Sequence, residues 1–424
     1  MAVDFAQALR VWFKIGCLGF GGPAGQIALM HRILVDEKNW VEESRYLHAL
    51  NFCMLLPGPE AQKLATYVGW LLHGTRGGLA AGILFVLPGA LVMLAMSLLY
   101  ALGQGIPAVD GALFGIKAAV LVIVVEALLR IGRRGLNTRL MLGVAAAAFI
   151  GIFFFALPFP LIVAVAGAIG FYTTKRASGA PQTETPGAWR QAARATLVGL
   201  VLWLAPIAVV VFALGTHHVF FDIAAFFSKL AVVSFGGAYA LLAYMAQQAV
   251  ETYGWMSAPE MVDGLGLAET LPGPLIKVTQ FVGFLAAYRD PAPFSPVTAA
   301  VLGSALTTWV TFVPPMMLIF AGAPFIEQLR SNARLSGALA AVTAAVVGVI
   351  LNLTLWFALH VLFARVEEAR AGPLRWYAFD PAALDWKAAA LALVAAFLML
   401  RLQRGLVETV AIMALAGMLL RFVF

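Results

Sequence analysis

The residues with the most chemical potential in this sequence lie in two copies of one short motif. Leu56-Pro57-Gly58-Pro59 and Leu271-Pro272-Gly273-Pro274 each fall in the middle of an apolar stretch. A proline inside a helix removes a backbone donor and clashes with the preceding turn, at a cost of about 3 kcal/mol. Two prolines in each stretch predict a broken helix. The second proline, Pro59 or Pro274, suits the first position of a new half-helix, where its missing N–H is harmless. Such a half-helix directs free N–H groups and the positive end of its dipole into the protein. Irregular backbone at membrane depth is tolerated only where it lines a cavity or is buried in protein. Two such ends predict an anion cradle; the alternative is a pair of structural kinks.

Lys63 and Lys277 lie one turn beyond the two prolines, placed to add positive charge to that cradle. Lys14, Lys117 and Lys229 also fall inside apolar stretches or near their ends. A charge at bilayer depth costs at least about 2.5–3.5 kcal/mol. Each lysine is therefore functional or reaches the headgroups, the reading that suits Lys14, Lys117 and Lys229 better. Glu60, Glu126 and Glu269 are embedded acids. They either neutralise the lysines or carry protons, since burial raises a carboxyl pKa and a nearby lysine lowers it. Gly21-Gly22 and Gly236-Gly237 admit two readings. One is a second break with amides close to a ligand; the other is close helix packing through small residues.

Several chemistries find no support. Gly19-Phe20-Gly21-Gly22 lacks the strand–turn–helix setting of a nucleotide loop, and no G-x-x-x-x-G-K-[ST] run suggests ATP hydrolysis. Cys17 and Cys53 offer neither a disulfide framework nor zinc spacing, and the six histidines form no H-E-x-x-H pair. No haem, flavin or iron–sulfur ligand set is visible. The expectation is no metal, no cofactor and no enzyme.

The elements that must position these residues are apolar helices. Of the 424 residues, 62% are hydrophobic and 12% charged, against roughly a quarter charged in a soluble domain. Apolar segments of about 20 residues, long enough to cross the bilayer, recur along the chain. They lie near 5–30, 47–72, 78–102, 108–131, 140–156, 158–173, 196–215, 222–248, 261–287, 297–322, 335–362, 386–400 and 406–424, about thirteen spans. Met1 to Arg10 carries Asp4 and Gln7 and reads as the start of a retained helix, not a secretory leader. Pro158 and Pro160 split one overlong segment into a hairpin.

The formal charge of +7 follows topology more than any nucleic acid. Arg130, Arg133, Arg134 and Arg139, and Lys175, Arg176, Arg190 and Arg194, flank apolar segments as cytoplasmic loops do. That places the N-terminus in the cytoplasm and the C-terminus outside a bacterial inner membrane. The 31–46 loop carries Arg32, Lys38 and Arg45, accompanied by Asp36, Glu37, Glu42 and Glu43, and the loop from Arg365 to Lys387 carries Arg365, Arg370, Arg375 and Lys387, yet both are external in this scheme. One segment that dips in without crossing would change part of it.

The chain repeats itself. Phe20-Gly21-Gly22 recurs as Phe235-Gly236-Gly237, Trp40 as Trp255, Lys14 as Lys229 and the Leu-Pro-Gly-Pro motif as itself, all 215 residues apart. One residue is then lost, so Lys63 meets Lys277 and Val68-Gly69 meets Val282-Gly283. An insertion around Arg289 to Pro296 resets the offset to 226, where Pro88 meets Pro314 and Gly111-Ala112-Leu113 meets Gly337-Ala338-Leu339. Seven intervening crossings make the copies inverted, a common plan for secondary transporters with a site at the midplane. The expected organisation is an N-terminal half at 1–174, a polar linker at 175–195 and a C-terminal half at 196–424. The fold class is an all-α polytopic membrane protein with two inverted repeats and broken helices.

At these residues the chain resembles the chromate ion transporter family, in its long two-domain form. Phe20-Gly21-Gly22 ahead of Trp40, the Leu-Pro-Gly-Pro stretch at 56–59 and the second copies at 235–237 and 271–274 look like that family's paired signatures. The resemblance covers nearly the whole chain. It implies chromate efflux that confers resistance in bacteria, driven by the membrane potential or a proton gradient. Lys63 and Lys277 depart from the residues usual at those positions in the family. On this reading the partners are chromate or a sulfate-like oxyanion and the lipid bilayer, and association as a homodimer stays open. Backbone amides and lysines would accept chromate or sulfate alike. The competing classes are an oxyanion channel built on the same cradle, a carrier of another small anion such as sulfate, and a membrane-embedded reductase, which would need a redox centre.

Overall fold

The computed structural model describes residues 3–103, 105–174, 188–235, 238–325 and 333–423. Among these the chain is α-helical apart from one short hairpin. The helices are α1 (Phe5–Leu18), α2 (Gly22–His31), α3 (Glu43–Leu55), α4 (Glu60–Leu102), α5 (Pro107–Gly135), α6 (Arg139–Phe155), α7 (Phe159–Thr173) and α8 (Ala188–Leu214). They continue as α9 (Val219–Val233), α10 (Ala238–Gln247), α11 (Ala258–Thr270), α12 (Val278–Arg289), α13 (Pro296–Gly322) and α14 (Ala333–Leu362). Strands β1 (Val366–Ala371) and β2 (Leu374–Phe379) follow, then α15 (Trp386–Ala396) and α16 (Leu406–Val423).

Among the described residues, five helical stretches are long and apolar enough to cross a membrane on their own: α4, α5, α8, Pro296–Phe325 and α14. The chain is an all-α membrane protein. Several other expected spans are divided. The stretch near 5–30 is α1 plus α2, that near 47–72 is α3 plus the start of α4, and that near 261–287 is α11 plus α12. The 43 residues of α4 would run roughly 65 Å if straight, about twice the hydrocarbon core. His73 and Gly74 leave helical geometry, with Gly74 at φ 61° and ψ −152°, and divide it into the two expected segments. The expected split of the overlong segment is present between α6 and α7, with Ala156 in the left-handed region at φ 49°.

Local sequence explains many of the ends. Asp4 caps α1 by accepting from the Gln7 N–H at 2.9 Å. Thr138 caps α6, and Ser295 caps α13 with Pro296 at its first turn. Of the expected linker, residues 175–187 lie outside the described residues, and α8 begins at Ala188.

The described chain clusters into two compact units. Unit one comprises Met1–Ala95, Gly170–Ala238 and Leu271–Leu339; unit two comprises Met96–Ile169, Tyr239–Thr270 and Ala340–Phe424. Each draws on both halves of the sequence.

The repeat is visible in secondary structure. Helices α3 and α11 each have 13 residues and begin 215 apart. A π-helical turn follows α2 at Arg32–Glu37, and another follows α10 at Gln248–Thr252. The Trp40 N–H donates to Leu34 at 2.9 Å, and the Trp255 N–H to Ala249 at 2.8 Å. In unit one the helix pair after each Leu-Pro-Gly-Pro turn crosses on glycines. A Cβ on Gly77 would meet the Gly69 carbonyl at 2.2 Å, and one on Gly303 would meet the Gly283 carbonyl at 2.7 Å. Such approach lets two helices touch through their backbones, where a membrane offers no hydrophobic drive for association.

Unit two packs α5 against α16 in the same way. A Cβ on Gly417 would meet the Gly111 carbonyl at 2.2 Å, and one on Gly115 the Met413 carbonyl at 1.8 Å. The β1–β2 hairpin, antiparallel with Val366 opposite Phe379, is an element the sequence reading left as loop. Arg375 anchors it: its guanidinium donates to the carbonyls of Ile152 at 2.7 Å and Phe153 at 3.2 Å, at the C-terminus of α6, and pairs with Glu251 at 3.2 Å. A cation there offsets the negative end of the α6 dipole.

Candidate functional site

The two proline turns break their helices as expected. Helix α3 stops at Leu55, Leu56 is extended at φ −101° and ψ 149°, and α4 begins at Glu60. Helix α11 stops at Thr270, and Leu275–Lys277 opens the next half-helix as a 3₁₀ turn. Pro59 directly precedes α4 and Pro274 stands at the N-cap with ψ 135°, each one position earlier than expected. The tighter 3₁₀ start occurs in the copy that has lost one residue. Gly58 and Gly273 both adopt positive φ, 108° and 90°. An L side chain in such a conformation is strained, so glycine is required on backbone grounds alone.

Each turn is held by the other copy. The Gly58 N–H donates to the carbonyl of Ser234 at 3.0 Å, and the Gly273 N–H donates to the carbonyl of Gly19 at 2.9 Å. Gly19 and Ser234 are themselves 215 apart and cap α1 and α9. Packing crosses over in the same sense. A Cβ on Gly58 would lie 2.4 Å from Cγ of Pro315, and one on Gly273 would lie 3.2 Å from Cα of Gly89. Gly89 and Pro315 are equivalent at the 226 offset. All these residues belong to unit one.

The first Gly-Gly pair is a helix break. Gly21 and Gly22 take φ 84° and 67°, and α2 starts at Gly22 without a side-chain cap. From α2, the fully buried Gln26 spans the break and the second turn. Its Nε2 donates to the Gly19 carbonyl at 3.1 Å and to the Gly273 carbonyl at 2.7 Å. Gly236 and Gly237 lie outside the described residues.

Lys63 and Lys277 are each 1% exposed. Lys63 Nζ donates to the Leu56 carbonyl, and Lys277 Nζ to those of Leu271 at 3.0 Å and Gly273 at 3.2 Å. Leu56 and Leu271 follow the last residues of α3 and α11, where carbonyls lack partners in the helix. The lysines thus complete both turns and keep two ammonium groups beside them. Lys63 forms no ion pair among the described residues. Gln62 donates to the Phe312 carbonyl at 3.1 Å, and Gln280 to the Ala90 carbonyl and the Ser304 hydroxyl, both at 2.9 Å. The side-chain oxygens of these two glutamines are buried and accept no hydrogen bond among the described residues.

The three acids have separate settings. Glu60 opens α4 and is half-buried. Glu126 is partly exposed on α5 and pairs with Arg130 one turn on. Glu269 is 4% exposed near the end of α11. Sequence reasoning missed Gln26, Ser234, Gly89 and Pro315. The two offsets pair Gly19 with Ser234 and Gly89 with Pro315, but give no sign that each turn seats on the opposite copy.

The chromate transporter family profile matches residues 6–171 and 221–420. The chain is 33% identical over 358 residues to the chromate transport protein of Pseudomonas aeruginosa, covering 82% of this chain and 80% of that one. It is 27% identical to the probable chromate transport protein of Synechococcus elongatus, over 82% of this chain and 83% of that one. It is 24% identical to the chromate transport protein of Cupriavidus metallidurans, over 81% and 80%. No solved structure matches the chain. With both signature turns in place and matches that span each repeat, this chain belongs to the chromate transporter family.

Proposed function

We propose that this protein is a secondary transporter that moves chromate outward across the bacterial inner membrane. The two Leu-Pro-Gly-Pro turns and the Gly21-Gly22 break form its anion site. One observation carries this reading. Gly58 and Gly273 each bond to the opposite copy at equivalent residues, so both turns belong to one construction. Each turn opens a half-helix behind a proline, whose side chain offers no acceptor to the first amides, and a buried lysine stands beside each. Half-helix N-termini that meet in a broken-helix transporter suit an anionic substrate. The reciprocal pairing also fits a pseudo-two-fold relation between the copies, as inverted repeats require.

Chromate is a tetrahedral dianion, and sulfate presents the same charge and shape to amides and lysines. Both are substrates on this reading. Glu60, Glu126 and Glu269 balance charge or carry protons. The N-terminus is cytoplasmic and the C-terminus external.

Flux of labelled chromate and sulfate into proteoliposomes tests this. A carrier shows saturable uptake and exchange of external for internal anion. Ohmic currents far above carrier rates would replace the carrier by a channel. Absence of any oxyanion flux would remove the reading altogether.

A further inference from the structure

Unit two contains a cavity of about 480 Å³, lined by Tyr100, Asp110, Lys117, Ser257, Glu260 and Asp263 among others. At its wall Lys117 Nζ meets Asp263 Oδ1 at 3.0 Å, and the Tyr100 hydroxyl donates to Asp263 Oδ2 at 3.0 Å. Asp263 is 5% exposed. Its two oxygens are thus engaged by one cation and one phenol beside a space large enough for water. Lys117 does not simply reach toward headgroups, as its sequence setting suggested; it has a carboxylate partner. It lies ten residues into α5, roughly 15 Å along the axis. An ionisable pair between apolar helices, with Asp263 buried and the Lys117 side chain 23% exposed, is costly and is expected to do work.

The surroundings decide what the pair can bind. Three carboxyl groups, Asp110, Glu260 and Asp263, face one ammonium in the lining, so the cavity attracts positive charge. Glu260 is committed to the start of α11, accepting from the Ser257 N–H at 2.8 Å and the Ser257 hydroxyl at 2.9 Å. Helix α16, packed along α5, brings Arg421 against Gly111, next to Asp110. The other charge on α16, Glu408, pairs with Arg404 at 2.7 Å. Helix α15 carries Lys387, which is exposed. Asp263 is therefore the buried, water-adjacent carboxylate, and Lys117 is the cation whose pairing depends on it.

We propose that the Lys117–Asp263 pair is a proton-binding site that couples this transporter to the proton gradient. A proton from cavity water adds to the Asp263 carboxylate, gives the neutral acid and leaves the Lys117 ammonium without its counter-ion. Loss of that proton to the cavity restores the pair. The two states differ in the attraction between α5 and α11. Helix α11 runs in sequence straight into Leu271-Pro272-Gly273-Pro274, so a change in its hold bears on the second turn. This inference rests on the transporter reading above.

The test uses the full protein in proteoliposomes with a trapped pH dye, and chromate and sulfate as probes. Wild type should move protons when anion is added. Asp263→Asn should lower the protons moved per anion by roughly tenfold or more, a ratio that reads coupling rather than yield. Asp263→Glu should keep proton movement with a displaced pH profile, and Lys117→Met should displace it too. An unchanged proton-to-anion ratio in Asp263→Asn overturns the inference. If that variant does not insert, unchanged pH profiles in both Asp263→Glu and Lys117→Met overturn it instead. Anion flux without protons in wild type removes this inference alone, whereas no anion flux removes the transport reading with it.

Discussion

The N–H of Gly273 donates to the carbonyl of Gly19 at 2.9 Å, tying the second proline turn to the first helix break. Its counterpart, Gly58 to Ser234 at 3.0 Å, ties the first turn to the second copy. Neither copy could complete its own turn alone. The glycines are irreplaceable for two separate reasons: positive φ, which costs an L residue about 1–2 kcal/mol, and the absence of room. At Gly58 a Cβ would overlap Pro315 at 2.4 Å, while at Gly273 the nearest atom is backbone of Gly89 at 3.2 Å. Gly58→Ala should therefore lower oxyanion flux per inserted protein more than Gly273→Ala, with Gly58→Leu and Gly273→Leu both inactive. Initial uptake rates normalised to reconstituted protein check this. Wild-type rates in the leucine variants would remove the turns from the site.

The Gly273 carbonyl is shared by two donors, Gln26 at 2.7 Å and Lys277 at 3.2 Å. Removing either leaves the other in place, whereas removing both strands a buried acceptor, at a cost of about 1–3 kcal/mol. Gln26→Leu and Lys277→Met should then be non-additive, with a coupling of about 0.5–3 kcal/mol in a double-mutant cycle on uptake. Gln26→Leu and Lys63→Met share no partner among the described residues and should add. Additivity in the first cycle would show that Gln26 and Lys277 do not act through Gly273.

Lys63 and Lys277 do two jobs that substitution can separate. Each donates to a carbonyl left over at a helix end, and each brings a positive charge. Glutamine keeps a donor and drops the charge, whereas methionine drops both. Lys63→Gln should raise the KM for chromate by roughly tenfold, equal to about 1.4 kcal/mol of lost anion attraction, with smaller change in the amount of folded protein. Lys63→Met should raise the KM at least as far and also lower the amount of folded protein. An unaltered KM in Lys63→Gln would leave the lysine as a helix-end donor only.

The turns were legible because backbone chemistry constrains sequence directly: Pro57, Gly58 and Pro59 cannot sit in a continuous helix. The duplication was legible because order and spacing survive divergence. The seating of the turns was not, since Gln26 reaches Gly273 across 247 positions and nothing local marks it. Asp263 was hidden for the same reason; it is one of three acids on a short helix, and only the fold brings Lys117 to it. The β1–β2 hairpin escaped because its outward residues, such as Glu367 and Glu368, give the stretch the polarity of a loop. The Gly21-Gly22 pair kept two readings in sequence, and positive φ at both residues resolves it as a break.

Outside the bilayer, His31 forms a clip at the end of α2. Its Nε2 lies 2.5 Å from Glu43 and its Nδ1 3.3 Å from Asp36. The hydrogen bond to Glu43 raises the imidazole above its ordinary value of 6.5, against partial desolvation and with help from both acidic charges. A raised folded value means that the clip stabilises fully below the unfolded value, near 6.5, and loses its effect as pH rises through the folded one. The Tm difference between wild type and His31→Gln in detergent should thus be largest at about pH 5–6 and shrink steadily above about pH 6.5. The clip joins the end of α2 to the start of α3, ahead of the first proline turn. A Tm difference that is flat across this range, or grows with pH, would mean that His31 stays neutral between its two acids.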